Sequence, residues 1–134
     1  MRSEPAVQLA RPDYVILIVT DLDESLEFYT QVLGLRLGHR TEAYTQLETG
    51  ATRSGLYTRE AMAKTLGTPL ATPAPDAPGF QIGFKVPDVD AAYRELLGRG
   101  GIPQIPPLDR PWDQRIAYLG DPDGHLIELI QDTA

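Results

Sequence analysis

Glu128 is the one charge in an otherwise apolar stretch, Leu126-Ile127-Glu128-Leu129-Ile130. A carboxylate inside an apolar strand is costly unless its face is wet or it has a partner. The face it occupies is therefore expected to line a cavity. Glu128 could abstract a proton next to a carbonyl; hydrogen-bonded to a neighbour, it could instead hold a ligand or serve only the structure. Trp112, the single tryptophan, lies in the segment 106–115, between Arg110 and Arg115. A proline-braced loop with an indole and two guanidiniums suits the rim of a site for a planar aromatic ligand. The alternative is an indole that staples the loop to a sheet edge. His125 belongs to a turn, and alternation puts it on the face opposite Glu128, so it is expected to be a surface turn residue. His39 ends a strand with no carboxylate near it in sequence and is expected to be solvated. No nucleophile elbow, P-loop or dinucleotide glycine motif occurs, and the glycines at 98–101 read as a helix stop.

Around Glu128 the chain reads as a hairpin. Asp121-Pro122-Asp123-Gly124 is a tight-turn sequence between apolar strands at 116–119 and 126–130. Near the other end, the β-branched run at 14–19 predicts a strand. Asp21 follows as an N-cap with Glu24 three residues on, a capping-box spacing. Leu22, Leu26, Tyr29 and Leu33 form a helical stripe, and Gly34 is placed to end it. Three shorter extended segments are expected at about 35–40, 43–48 and 52–57. Residues 59–79 break the pattern: 60–66 could be a helical turn or two, and Pro69, Pro73, Pro75 and Pro78 make the stretch a linker.

After the linker the first pattern returns. Tyr14 and Gln81, Val19 and Val86, Asp21 and Asp88, and Leu22 and Val89 are each 67 positions apart. A strand at 81–86 and a helix from Asp88, with Val89, Tyr93 and Leu96 or Leu97 as its stripe, complete the match. The unit is β-α-β-β-β used twice, which predicts the whole fold. Glu128 falls opposite Gly55, 73 positions apart because the loops differ in length. Alternation sends Val15, Leu17 and Val19, and Ile82, Phe84 and Val86, toward the helices. Tyr14, Ile16 and Ile18, with Gln81, Gly83, Lys85 and Glu128, then occupy the other, hydrated face. Tyr57 and Tyr118 could join them, although Tyr118 could equally face the helix.

The chain, with 134 residues, is the size of one domain, or of two small halves sharing a core. Twelve basic against 19 acidic residues give a net charge of −7, which argues against a nucleic-acid partner. With no cysteine, disulfides, thiolate chemistry and cysteine-ligated zinc are excluded. Residues 1–13 hold no apolar leader core and no 18-residue apolar run occurs, so no membrane partner and a cytoplasmic location are expected.

The stretches 19–29, 32–35, 84–92 and 121–128, in this order and with the internal repeat, resemble the glyoxalase, bleomycin-resistance and extradiol-dioxygenase superfamily, the vicinal oxygen chelate proteins. The resemblance covers residues 13–131 and implies an α+β fold: two βαβββ modules whose curved mixed sheets surround a cleft, usually in a homodimer. Carried onto this chain, module one spans about 13–58, the linker 59–79 and module two about 80–131, within a single 1–134 domain. Metal-dependent members hold a divalent ion with four cleft-facing side chains, which fall here at Tyr14, Gly55, Gln81 and Glu128. Glu128 is the one strong ligand of the four, Gln81 offers a neutral carbonyl, Tyr14 is a poor ligand while protonated, and Gly55 offers nothing.

Three functions follow as expectations. The first is a metal-free protein that sequesters a small aromatic compound, like the antibiotic-resistance members, through Tyr14, Ile16, Tyr57, Gln81, Trp112, Arg115, Tyr118 and Glu128, with no cofactor. The second is a lyase, isomerase or dioxygenase that recruits a weakly held metal or uses Glu128 as a base. The third is a regulatory domain whose main property is dimerisation.

Overall fold

β-Branched and aromatic residues build the first strand, β1 (Tyr14–Val19), and Asp21 starts the helix that follows it. The Asp21 carboxylate accepts from the Glu24 amide at 3.0 Å, as the capping pattern predicts. Helix α1 (Leu22–Glu27) then widens into a π-helical turn over Phe28–Val32, which sequence periodicity did not anticipate. Gly34 ends the segment at φ +79°. Three strands follow: β2 (Arg36–Arg40), β3 (Tyr44–Glu48) and β4 (Arg53–Thr58). The second module repeats the order with β5 (Gln81–Lys85), α3 (Val89–Gly98), β6 (Ile102–Arg110), β7 (Gln114–Gly120) and β8 (Leu126–Asp132). The structure is a computed structural model and describes residues 7–71 and 78–134.

Each module forms a four-stranded mixed sheet, ordered β1-β4-β3-β2 in the first and β5-β8-β7-β6 in the second. β1 runs parallel to β4, and β5 parallel to β8. Ile16 pairs with Gly55 and Gly83 with Glu128, so the two modules share a register as well as a topology. The fold class is α+β.

Two stretches differ from the sequence reading. The first part of the expected linker, where 60–66 could be a helical turn or two, is a regular helix, α2 (Arg59–Leu66), capped by the Thr58 hydroxyl and ended by Gly67 in the left-handed region. The prolines at 73 and 75 lie outside the described residues. The expected proline-braced loop at 106–115 is mostly a hairpin: β6 carries Pro103, Pro106 and Pro107, and only 111–113 turn. β6 is the outer strand of its sheet, where missing amide donors cost least, and its pairing with β7 shifts register twice.

The helix-bearing faces of both sheets share one core. Leu17, Val19, Leu26, Tyr29 and Leu56 of module one are buried with Val89, Leu96, Ala117, Leu119 and Ile127 of module two. Burying each large side chain stabilises the fold by about 1.5–3 kcal/mol. Polar contacts rivet the modules across this core. Tyr29 Oη donates to Asp121 at 2.7 Å, and the Thr20 amide donates to Asp123 at 2.9 Å. The His125 Nε2–H donates to the Ile18 carbonyl at 3.0 Å. His125 is thus not the surface turn residue its sequence suggests; it is buried at 8% exposure, edge-on to Phe80. Because the helix faces meet inside, the opposite face of each sheet points outward. No helix among the described residues is long and apolar enough to cross a membrane.

Candidate functional site

Alternation along β1, β3 and β4 sets the first outward face. Tyr14, Ile16 and Ile18 point to it from β1, Tyr44 and Gln46 from β3, and Arg53 and Tyr57 from β4. Helix α2 leans over this face and contributes Met62 and Thr65, with Thr65 Oγ1 3.2 Å from Tyr57 Oη. Together they line an open, mostly apolar cavity of about 660 Å³. Arg53 is paired with Asp13 and lies 5.8 Å from the Tyr14 ring centre. A side chain at Gly55 would collide with its surroundings: a Cβ there would stand 2.6 Å from Tyr44 Cε2 and 2.8 Å from Ile16 Cδ1.

The second outward face is centred on Glu128. Gln81 donates its amide to Glu128 Oε1 at 2.9 Å. Tyr118 lies directly across from Glu128 in the β7–β8 register, which settles it on this face and not on the helix side. Burial raises the Tyr118 phenol above its ordinary range, and the neighbouring Glu128 adds to the rise. Ile105 and Leu108 of β6 pair with Tyr118 and Ile116, so they extend the same face, and both are exposed. Toward the β6–β7 turn the face becomes polar. Lys85 bonds Asp132, Gln114 donates to Asp132, and Trp112 Nε1 donates to Gln114. The Lys85 ammonium holds the Asp132 carboxyl below its usual range.

The expected site residues therefore fall into three places. Tyr14, Ile16 and Tyr57 line the first face; Gln81, Tyr118 and Glu128 gather on the second, with Trp112 at its edge. Arg115 does not belong to either: it turns to the helix side, where Asp90 takes Nε at 2.8 Å and Asp109 takes Nη1 at 3.1 Å. Its alternation with Gln114 and Ile116 carries that orientation. No residue of module two lines the module-one cavity. Sequence reasoning missed Tyr44 and Gln46, which the alternation at 44–47 could have assigned. It also missed Met62 and Thr65, which lie four and seven residues after Thr58 and so share one face of α2, the face turned toward the sheet.

The chain matches a family model, "Glyoxalase/Bleomycin resistance protein/Dioxygenase superfamily", over residues 11–129. It is 36% identical over 119 residues to the uncharacterized protein YraH of Bacillus subtilis, covering 86% of this chain and 93% of that protein. It is 33% identical over 125 residues to a probable lactoylglutathione lyase of Vibrio cholerae, covering 89% and 88%. Among solved structures, a glyoxalase/bleomycin resistance protein/dioxygenase from Nocardioides superposes with a TM-score of 0.80 at 28% identity, covering 94% of this chain and 87% of that one.

Proposed function

The chain belongs to the glyoxalase/bleomycin resistance protein/dioxygenase superfamily, and from that premise we propose that it is a metal-free binding member which sequesters a small aromatic compound, drug or metabolite. The observation that carries this reading is the chemistry of the four positions where metal-dependent relatives place their ligands. Glu128 is the one carboxylate, and it is already bonded to the Gln81 amide. Gly55 offers no side chain, and Tyr44 and Ile16 fill the space where one would stand. A catalytic divalent ion takes about three protein ligands with an open position. Among the described residues no three His, Cys, Asp or Glu side chains cluster as such a set. The residues present do not fit the metal.

What the faces do offer is binding chemistry. A mostly apolar cavity with a few placed phenols and amides suits a planar compound with one or two polar groups. The two half-sites point outward from one chain, so the cleft is completed when the module-one face of one copy meets the module-two face of another. The protein is then a homodimer.

A second reading is favoured by the position of Glu128 and by the similarity to a probable lactoylglutathione lyase. In it Glu128 acts as a general base. Glu128→Gln separates the two: the enzyme reading requires turnover to vanish with affinity nearly intact, and the binding reading requires only affinity to change.

The test of the metal-free reading is elemental analysis of protein dialysed against trace zinc, nickel, manganese and cobalt. Well under one ion per chain is expected. A stoichiometric ion that disappears in Glu128→Gln would overturn the proposal.

A further inference from the structure

The polar row at the edge of the module-two face ends in an unbalanced cation. Lys85, Asp132, Gln114 and Trp112 are linked in sequence by side-chain bonds of 2.5, 3.2 and 2.9 Å. Beyond them Arg110 Cζ lies 4.6 Å from the centre of the indole. Arg110 pairs across the strands with Gln114, which places it on the same face as Tyr118 and Glu128. The other cation of the module-two face, Lys85, is neutralised by Asp132, and Arg53 of the module-one cavity by Asp13. Arg110 forms no ion pair with any carboxylate of the described residues. The nearest carboxylate in sequence, Asp109, is turned to the other face and held by Arg115 at 3.1 Å.

We infer that Arg110 and Trp112 form an anion subsite at the edge of the cleft, which takes the carboxylate of an aromatic ligand while the indole meets its ring. The inference rests on the binding reading above and names its ligand class. A planar guanidinium matches a carboxylate with two parallel N–H bonds. The bond from Trp112 to Gln114 fixes the indole, and the indole in turn restrains the guanidinium, so less conformational freedom is lost on binding. A guanidinium with no carboxylate of its own also selects against neutral analogues of the same shape.

Calorimetric titration with naphthoate and naphthamide, which share ring and shape but differ in charge, tests this. Wild type should bind naphthoate about tenfold more tightly, the size of one charge-assisted hydrogen bond at a partly exposed site. Arg110→Gln should bring naphthoate down to the level of naphthamide and leave naphthamide unchanged, and Arg110→Lys should keep part of the preference. Equal affinities in wild type, or equal losses for both compounds in Arg110→Gln, overturn the subsite and leave the binding reading standing. If neither compound binds wild type, the binding reading fails and the subsite with it. Should Arg110→Gln not fold, the wild-type ratio of the two affinities decides.

Discussion

Tyr29 and Asp121 are 1% and 2% exposed and lie 92 positions apart, yet share a 2.7 Å hydrogen bond. Burial is the largest influence on each, and it pushes both the phenol and the carboxyl above their ordinary ranges. The bond from Tyr29 works the other way on Asp121 by favouring its charged form. Tyr29→Phe leaves the carboxyl buried without that donor and should lower unfolding free energy by about 1–3 kcal/mol in denaturant melts. The pH dependence has a definite sign. A carboxyl whose folded pKa is raised binds its proton more tightly in the native state, so its stability contribution is full below the unfolded Asp value. It is lost as pH rises through the raised folded value. Asp90 and Asp132 are held down by Arg115 and Lys85 and act oppositely, so the Asp121 contribution is read as wild type minus Asp121→Asn. That difference should fall as pH rises from the ordinary Asp range; a rise would mean the hydrogen bonds outweigh burial. At this scale the sequence was partly legible. The Asp121 turn and its glycine announce themselves, but nothing local to His125 or Tyr29 marks them as partners of residues in the other module.

Single elements decide what the outward faces present. The β6–β7 hairpin carries Trp112 at 56% exposure, with its indole bonded to Gln114. Trp112→Ala should weaken binding of a planar aromatic by about 1–3 kcal/mol, the range for truncating a packed anchor, with little change in melting temperature. A sharp drop in melting temperature with affinity unchanged would make Trp112 a structural staple. The prolines of β6 made this hairpin look like a loop, because a sequence does not say which strand will lie at a sheet edge. Helix α2 was half visible in the same way. Its cap, Thr58, and its stop, Gly67, were present and 60–66 could be read as a helical turn or two, but the prolines after it assigned the stretch to a linker. The other strands of the repeat were read from periodicity with bounds close to those observed, since each is a short unit bounded by its own cap or turn.

At the scale of the molecule, the 67-position offset made the two modules legible, and with them the α+β fold. The way the modules dock was not, because it is carried by contacts such as Thr20 to Asp123 and His125 to Ile18 that have no local signature. Docking by the helix faces leaves two half-sites pointing outward, and this is why the site proposed here needs a second copy. Sedimentation should therefore give a species of twice the 14.7 kDa chain mass. A concentration-independent monomer would remove the composite cleft.

The proposed function is metal-free binding of an aromatic compound in this cleft. Its most direct test follows the fluorescence of the single indole, Trp112, during titration with naphthoate, in chelator and again with added zinc, nickel or manganese. The same saturable quenching, with the same midpoint, is expected in every case. Quenching that appears only when a divalent ion is supplied would contradict it.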